Sequence, residues 1–311
     1  MKTENSQKIR VIAVVGPTAS GKSSLAISLA KRLDGEIVSC DSMQIYRGMD
    51  VGTAKASAEE RAQVPHHLID VAEPEESRSL AEFAEMAHAA IQEVAGRGKL
   101  PILCGGTGLY LDNILYDTVL SDAPANEAYR ESLAGYSNEA LHAMLAQVDG
   151  ECAAANHPNN RRRIIRALEI YHTTGKTKTE WDRQSRVKTP RYDALILGLR
   201  ASDREYLYRR IEERVDLMME MGLAAEVAAL APRLGSTAAQ AIGYKEILAG
   251  LSGQTTMEDA VAQLKTATRR YAKRQLTWFG ASSEIRWLDI CGKDKEQLLQ
   301  ESMEIVQKTF S

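Results

Sequence analysis

The first apolar run of the chain, residues 11–15 (VIAVV), is short and β-branched. A glycine-rich turn follows it, and then SSLAISLAKRL, in which Leu25, Leu29 and Leu33 recur at helical spacing. That order predicts strand, loop and helix. Further strands are expected over residues 36–40 (EIVSC) and 100–104 (LPILC), with a helix between them from about Leu80. Ser79 and Glu82 form a capping box at the start of that helix, and Gly96 and Gly98 mark its end. Strands alternating with helices predict an α/β fold in which a parallel sheet carries helices on both faces. After about Asp117 the strand pattern stops until residues 195–199 (LILGL). Residues 120–190 are therefore expected to form a mostly helical insertion in an α/β core built from 1–119 and 191–311. Core helices resume beyond it, with capping boxes expected at Ser202 and Glu205, for a helix running to Gly222, and at Thr255 and Glu258.

The turn after the first strand gives this α/β pattern its chemistry. Residues 16–23 read GPTASGKS, a match to G-x-x-x-x-G-K-[ST] placed directly after a strand and before a helix. Gly16 and Gly21 let the chain turn so that the N–H groups of Thr18, Ala19, Ser20, Gly21, Lys22 and Ser23 surround an anion. The helix dipole and the Lys22 ammonium add charge, and the Ser23 hydroxyl is placed to hold Mg2+. The fold expected is thus P-loop NTPase-like. A nucleotide hydrolase would continue with a strand ending in Asp, the acid that helps hold Mg2+; here LPILC ends in Gly105, Gly106 and Thr107. The carboxylate stands instead at Asp41, after the second strand, where ligands of open α/β sheets gather and where an Asp also commonly caps a turn. Thr107 reads equally as an N-cap of the next helix. Arg214 shares a helix face with Leu207, Ile211, Met218 and Met221. An inward guanidinium needs an anion, either a protein carboxylate or a diphosphate.

Charge distribution adds a partner. Residues 157–191 hold ten Lys/Arg against three acids, a net of +7, and residues 264–274 hold five Lys/Arg and no acid. The chain as a whole is at -3, so these are cationic patches on an acidic body and suggest a polyanionic partner. Cys40, Cys104, Cys152 and Cys291 are scattered without zinc spacing, which fits a reducing cytosol. No apolar run approaches a membrane span, and a soluble cytoplasmic protein is expected.

Several segments together resemble the bacterial tRNA dimethylallyltransferases, also called tRNA isopentenyltransferases. They are GPTASGKS, DSMQIYRGMDVGTAK (41–55), PHHLID (65–70), GGTGLY (105–110), HPNNRRRIIRALEI (157–170), RIEERVDLMMEMG (210–222), QAIGYKE (240–246) and RRYAKRQLTWF (269–279). The resemblance runs from about residue 10 to residue 290. It implies transfer of the five-carbon group of dimethylallyl diphosphate to N6 of adenosine 37 in tRNA, with Mg2+ as cofactor, the tRNA anticodon stem-loop as partner and a monomeric enzyme. It implies Asp41 as the base, Thr107 and Arg214 as diphosphate contacts in the catalytic set, and an adenosine flipped out of its loop. It also implies tRNA contacts at Asp41, Ser42, Met43 and Gln44, at Thr107 and Arg130, at Arg162, Arg163, Ile164, Ile165 and Arg166, and at Gln240, Ala241, Ile242, Gly243, Tyr244 and Lys245. Gln44 has the amide geometry to read an adenine edge. One departure from the family pattern is HPNN, where Asn160 replaces the usual acid. Three rival readings remain at this level: a P-loop small-molecule kinase, an adenylate prenyltransferase acting on free AMP, and a non-enzymatic RNA-binding module.

Overall fold

The computed structural model describes residues 8–117, 123–185 and 189–310. In chain order the strands are β1 (Arg10–Val15), β2 (Gly35–Ser39), β3 (His66–His67), β4 (Leu100–Gly105), β5 (Tyr116–Asp117), β6 (Thr189–Pro190), β7 (Asp193–Arg200) and β8 (Ile285–Asp289). The helices are α1 (Lys22–Leu33), α2 (Ala58–Gln63), α3 (Leu80–Gly96), α4 (Gly108–Leu115), α5 (Glu127–Ser132), α6 (Asn138–Val148), α7 (Gly150–Ala154), α8 (Arg161–Thr174), α9 (Lys178–Gln184), α10 (Arg204–Glu220), α11 (Leu223–Leu230), α12 (Tyr244–Leu251), α13 (Met257–Gly280) and α14 (Lys295–Phe310).

Six strands form one sheet in the order β3-β2-β4-β1-β7-β8, every pairing parallel. β1 lies in the middle, and its side chains alternate between two covered faces. Ile12 and Val14 join Leu25 and Leu29 of α1 and Val306 of α14 in one apolar cluster, while Val11, Ala13 and Val15 are buried on the other face. α3 covers β2 and β4 and keeps its capping box, with the Ser79 hydroxyl accepting from Glu82 N–H and the Glu82 carboxylate accepting from Ser79 N–H. Because β1 and β2 are consecutive in sequence but separated by β4, the chain crosses over at the C-terminal ends of these strands. Such a crossover opens the crevice in which α/β folds seat ligands.

The chain divides into two compact units, one made of the residues up to Leu115 and from Pro190 onward, the other of Tyr116–Thr189. The second unit has its own core of Leu133, Leu141, Leu145, Ile164 and Leu168. Asp149 organises it: the carboxylate accepts from Cys152 N–H at the start of α7 and from the Thr179 N–H and hydroxyl in α9.

Two helix starts differ from expectation by one residue. The cap of α10 is Asp203, not Ser202, whose N–H goes to Asp289, and the cap of α13 is Thr256, not Thr255. In both places two capping residues stand side by side, and the neighbouring strand or turn decides between them. β3, β8 and α14 were not evident from the pattern. β3 is two residues long and β8 reads IRWLD, too short and too polar to stand out.

Candidate active site

The phosphate loop joins β1 to α1 and is built as its sequence requires. Gly16 has φ +142°, and a Cβ there would lie 2.6 Å from the Leu199 carbonyl oxygen of β7, so no other residue fits. Gly21 at φ +93° caps α1 and turns the first-turn N–H groups, including those of Lys22 and Ser23, toward the crevice without intrahelical acceptors. Ala19 also sits in the left-handed region, at φ +62°, and its carbonyl accepts from Arg210 Nε at 2.8 Å. Two of the expected backbone donors are already engaged: Thr18 N–H bonds to Gln275 Oε1 at 2.8 Å, and Ser20 N–H turns back to the Pro17 carbonyl.

Around this loop lies a cavity of about 270 Å³. Its lining takes in Thr18, Lys22, Ser23 and Arg214, here called its first end, and Asp41, Ser42, Met43 and Gln44 with Gln240, Ala241, Ile242 and Gly243, here called its second; Asp41 is near enough to act electrostatically on both Lys22 and Arg214. A second hollow, lined among others by Arg61, Arg210, Leu217 and Met221, shares Lys22, Ser23 and Arg214 with it.

The electrostatics of the first end are those of an anion site without its anion. Burial pushes Lys22 down from 10.5 to about 8, with Arg214 adding repulsion and Cys104 and Asp41 opposing the shift. Its ammonium donates to the Pro17 carbonyl at 2.7 Å. Burial likewise lowers Arg214, with the Asp41 carboxylate opposing the shift and Arg210 adding to it; among the described residues no carboxylate comes within ion-pair or hydrogen-bond distance of Arg214, so Asp41 acts on it only across the cavity. The Ser20 hydroxyl is buried and makes no hydrogen bond among the described residues, and the Thr107 hydroxyl is buried with the Tyr271 phenol as its polar neighbour. Thr107 therefore does not cap α4 through its side chain. Nor does it line the cavity, whose edge here is Gly105 and Gly106; it lies next to Tyr271, whose phenol burial pushes up to about 12. Of the expected face of α10, Leu207 and Ile211 are buried, but Met221 is 62% exposed, since the helix has ended one residue earlier.

The second end is hydrogen-bonded within the protein. Asp41 Oδ1 accepts from Met43 N–H at 2.9 Å, so the turn-capping and cavity-lining readings of Asp41 both hold; the other carboxylate oxygen has no hydrogen-bond partner among the described residues. Gln44 spends its amide on structure, accepting from Ser39 Oγ at 2.9 Å and donating to the Thr53 and Ala54 carbonyls. Glu226, a lone acid in the apolar helix α11, receives the N–H groups of Asp50, Val51 and Gly52 at 2.7–3.0 Å and the Tyr244 hydroxyl at 2.5 Å. Tyr244 is fully buried, its phenol pushed up by burial and by that carboxylate, and Lys245 points away beside Glu246. Within the Gln240–Lys245 stretch, the cavity is thus lined by the first four residues and supported by the fifth.

The basic patches prove to be mixed. In the helical unit Arg130 and Arg166 both pair with Glu169, which is fully buried, and Arg161 binds the carbonyls that end α5. Ile164 belongs to the core, so its side chain cannot serve as a contact, and Ile165 packs beside it. Arg162 and Arg163 are exposed and unpaired, and Asn160 precedes them without making a side-chain cap. On α13, Lys265 and Arg269 are neutralised by Asp216 and Glu212 of α10, which leaves Arg270, Lys273 and Arg274 without an ion pair among the described residues. Arg186 and Lys188 lie outside the described residues.

The chain is similar to known proteins along nearly its full length. The family described as IPP transferase matches residues 44–282, and that described as isopentenyl transferase matches residues 9–73. The chain belongs to the IPP transferase family. Among curated relatives of this IPP transferase, the tRNA dimethylallyltransferase of Geobacillus kaustophilus is 51% identical over 90% of each chain, and that of Bacillus subtilis is 48% identical over 92% of each. The crystal structure of a tRNA isopentenylpyrophosphate transferase from Bacillus halodurans aligns with a TM-score of 0.74 and 44% identity over 97% of both chains. A eukaryotic dimethylallyltransferase described as acting on tRNA aligns with a TM-score of 0.80 and 30% identity, over 96% of this chain and 80% of that one. The expected α/β fold is thereby confirmed. Among the described residues no helix is long and apolar enough to cross a membrane.

Sequence reasoning missed Gln275 and Glu226. Gln275 repeats the inward spacing of Leu264, Thr268 and Tyr271 on α13, and Glu226 interrupts LAAEVAAL; a polar residue on an apolar helix face was the available signal in both cases.

Proposed function

We propose that this chain transfers the dimethylallyl group of dimethylallyl diphosphate to N6 of adenosine 37 in tRNA, releasing diphosphate. The observation that carries the reading is the division of a single cavity into an anion-seeking end and an end bearing one free carboxylate oxygen. As the allylic C–O bond breaks, negative charge grows on the leaving diphosphate, and donors already fixed around it stabilise that charge most. Lys22, Arg214, the Ser23 hydroxyl and the first-turn amides of α1 supply them. The N6 lone pair is delocalised into the adenine ring, so removal of the N6 proton by Asp41 as the C–N bond forms makes it an effective nucleophile. An adenosine stacked in an anticodon loop cannot reach a carboxylate at the sheet edge, so the base is flipped into the cavity beside residues 41–44 and 240–243. Exposed Arg162, Arg163, Arg270 and Lys273 are suited to the RNA backbone.

Among the described residues no cluster of three or more His, Cys, Asp or Glu could hold a metal by itself. That donor set fits a Mg2+ bound chiefly by substrate, with Ser23 as a protein ligand and diphosphate and water oxygens completing it, where the ion would neutralise leaving-group charge. A kinase reading lacks the Asp after β4 and leaves the unpaired cations outside the crevice idle. An enzyme for free AMP likewise has no use for those cations. The enzyme acts as a cytoplasmic monomer on this reading. Incubation with an unmodified anticodon stem-loop and dimethylallyl diphosphate should raise the RNA mass by one C5 unit; ATP turnover without any alkylated nucleoside would refute the proposal.

A further inference from the structure

The two backbone segments that frame the anion end, the phosphate loop after β1 and the Gly-Gly-Thr turn after β4, do not hydrogen-bond to each other here. One side chain joins them. Gln275 of α13 is 5% exposed, accepts the Thr18 N–H at 2.8 Å through Oε1, and donates Nε2–H to the Gly106 carbonyl at 2.9 Å. Only a neutral carboxamide offers an acceptor and a donor on adjacent atoms, so a carboxylate or an alkyl chain of the same size makes at most one of these bonds. Space is equally constrained: a Cβ on Gly106 would lie 2.1 Å from Gln275 Nε2, and one on Gly108 would lie 2.1 Å from the Trp278 ring of the same helix. Gly106 and Gly108 of the GGTG turn are thus explained by the close approach of α13.

We propose that Gln275 is a positioning residue for the diphosphate site. By holding Thr18 and Gly106 at a fixed separation, it sets the seat of Lys22 and Ser23 on one side against the Gly105–Gly106 edge of the cavity on the other. It also takes the Thr18 N–H out of the set available to the anion, so the diphosphate is gripped by the first turn of α1 rather than by the front of the loop. The inference depends on the cavity's anion end receiving a diphosphate, as proposed above, but not on the acceptor being tRNA.

Calorimetry with inorganic pyrophosphate and Mg2+ tests it without any transfer reaction. Gln275→Met, which keeps the volume and removes both bonds, should weaken pyrophosphate binding about tenfold and raise KM for dimethylallyl diphosphate by a similar factor, leaving stem-loop affinity within about twofold. Gln275→Glu, which keeps one acceptor but sets a charge beside the anion, should weaken it further. Pyrophosphate affinity within about twofold of the parent, or an equal loss for the stem-loop, would overturn the assignment. Hydrogen exchange on the unaltered protein gives an answer even if these variants do not fold. The Thr18 amide should exchange slowly in the free protein and be unchanged by pyrophosphate, while the Lys22 and Ser23 amides gain protection. A Thr18 amide protected only once pyrophosphate is added would refute it. A parent that binds pyrophosphate yet alkylates no RNA would sink the proposed function and leave this inference standing.

Discussion

The two ends of the cavity are built by opposite rules. At the diphosphate end Arg214 has no carboxylate within ion-pair distance among the described residues, Lys22 has only the Pro17 carbonyl as a hydrogen-bond acceptor, and both cations are held below their ordinary pKa by burial. At the nucleoside end Gln44 and Glu226 satisfy the backbone of the loops around them, and Asp41 alone keeps an oxygen free. Unpaired buried donors cost free energy in the empty protein, of the order of 1–3 kcal/mol each, and that cost is returned only by an anion. Paired groups cost nothing and fix shape. The first end therefore gains its affinity from charge, and the second selects by the form of a rigid wall with one reactive atom.

The sharpest way to break this contrast is to remove that atom. Asp41→Ala should lower kcat by roughly 10²–10⁴, the usual span of general-base catalysis, with donor KM and stem-loop affinity nearly unchanged. Equal loss of rate and stem-loop binding would make Asp41 a part of the wall rather than the base. Next in size is Lys22→Ala, which should cost about 10² in kcat/KM for dimethylallyl diphosphate by removing one preorganised cation from the leaving group. Stem-loop affinity should hold, and an unchanged rate would take the loop out of the mechanism.

How far the sequence carried these statements depended on the range of the interaction involved. The phosphate loop, Asp41 and the Gly-Gly-Thr ending were legible because their chemistry is local: each lies within a few residues of the strand that presents it. The change of period placed a helical insertion at residues 120–190, and the structure's second unit spans Tyr116–Thr189. What stayed hidden were contacts across long sequence separation. Glu169 neutralises Arg130 and Arg166, and Glu212 and Asp216 neutralise two of the five cations of the α13 patch, so charge counting overstated both cationic surfaces. Gln44 looked like a base reader because its amide is suited to adenine, yet the turn at Thr53 and Ala54 uses it first. Glu226 and Gln275 each tie together segments more than 160 residues apart, and no periodicity encodes such a bond.

Glu226 allows a test of the rigid wall itself. Glu226→Gln keeps the size of the side chain but turns an NH2 group toward N–H donors that had a carboxylate oxygen. The amides of residues 50–52, part-buried at Val51 and Gly52, would lose part of their acceptor, for a cost of roughly 1 kcal/mol in urea unfolding. If stability is unchanged, the hydrogen bonds at the nucleoside end are dispensable and the contrast between the two ends weakens.

The smallest effect is a pH limb that should appear at one end only. Lys22 has a pKa of about 8 in the free protein because burial disfavours its charge. Dimethylallyl diphosphate needs the ammonium form, and kcat/KM reports groups of the free enzyme, so kcat/KM for the donor should be level below about pH 7.5 and fall toward one decade per pH unit above about 8. A bound diphosphate favours the charged form and raises the Lys22 pKa, so kcat at saturating donor should stay level across that same interval, as should stem-loop affinity. Stability moves in the opposite sense. With the folded pKa below the unfolded value, the unfolded chain binds more protons between about pH 8 and 10.5, and the Lys22 contribution makes the free protein more stable as pH rises through that window. Substituting Lys22→Arg, whose charge does not titrate there, should abolish the limb in kcat/KM while keeping measurable transfer. A donor kcat/KM that stays level from pH 7 to about 9.5 in the parent would mean that the cation receiving the diphosphate is not Lys22 and that the charge at this end resides in Arg214 alone.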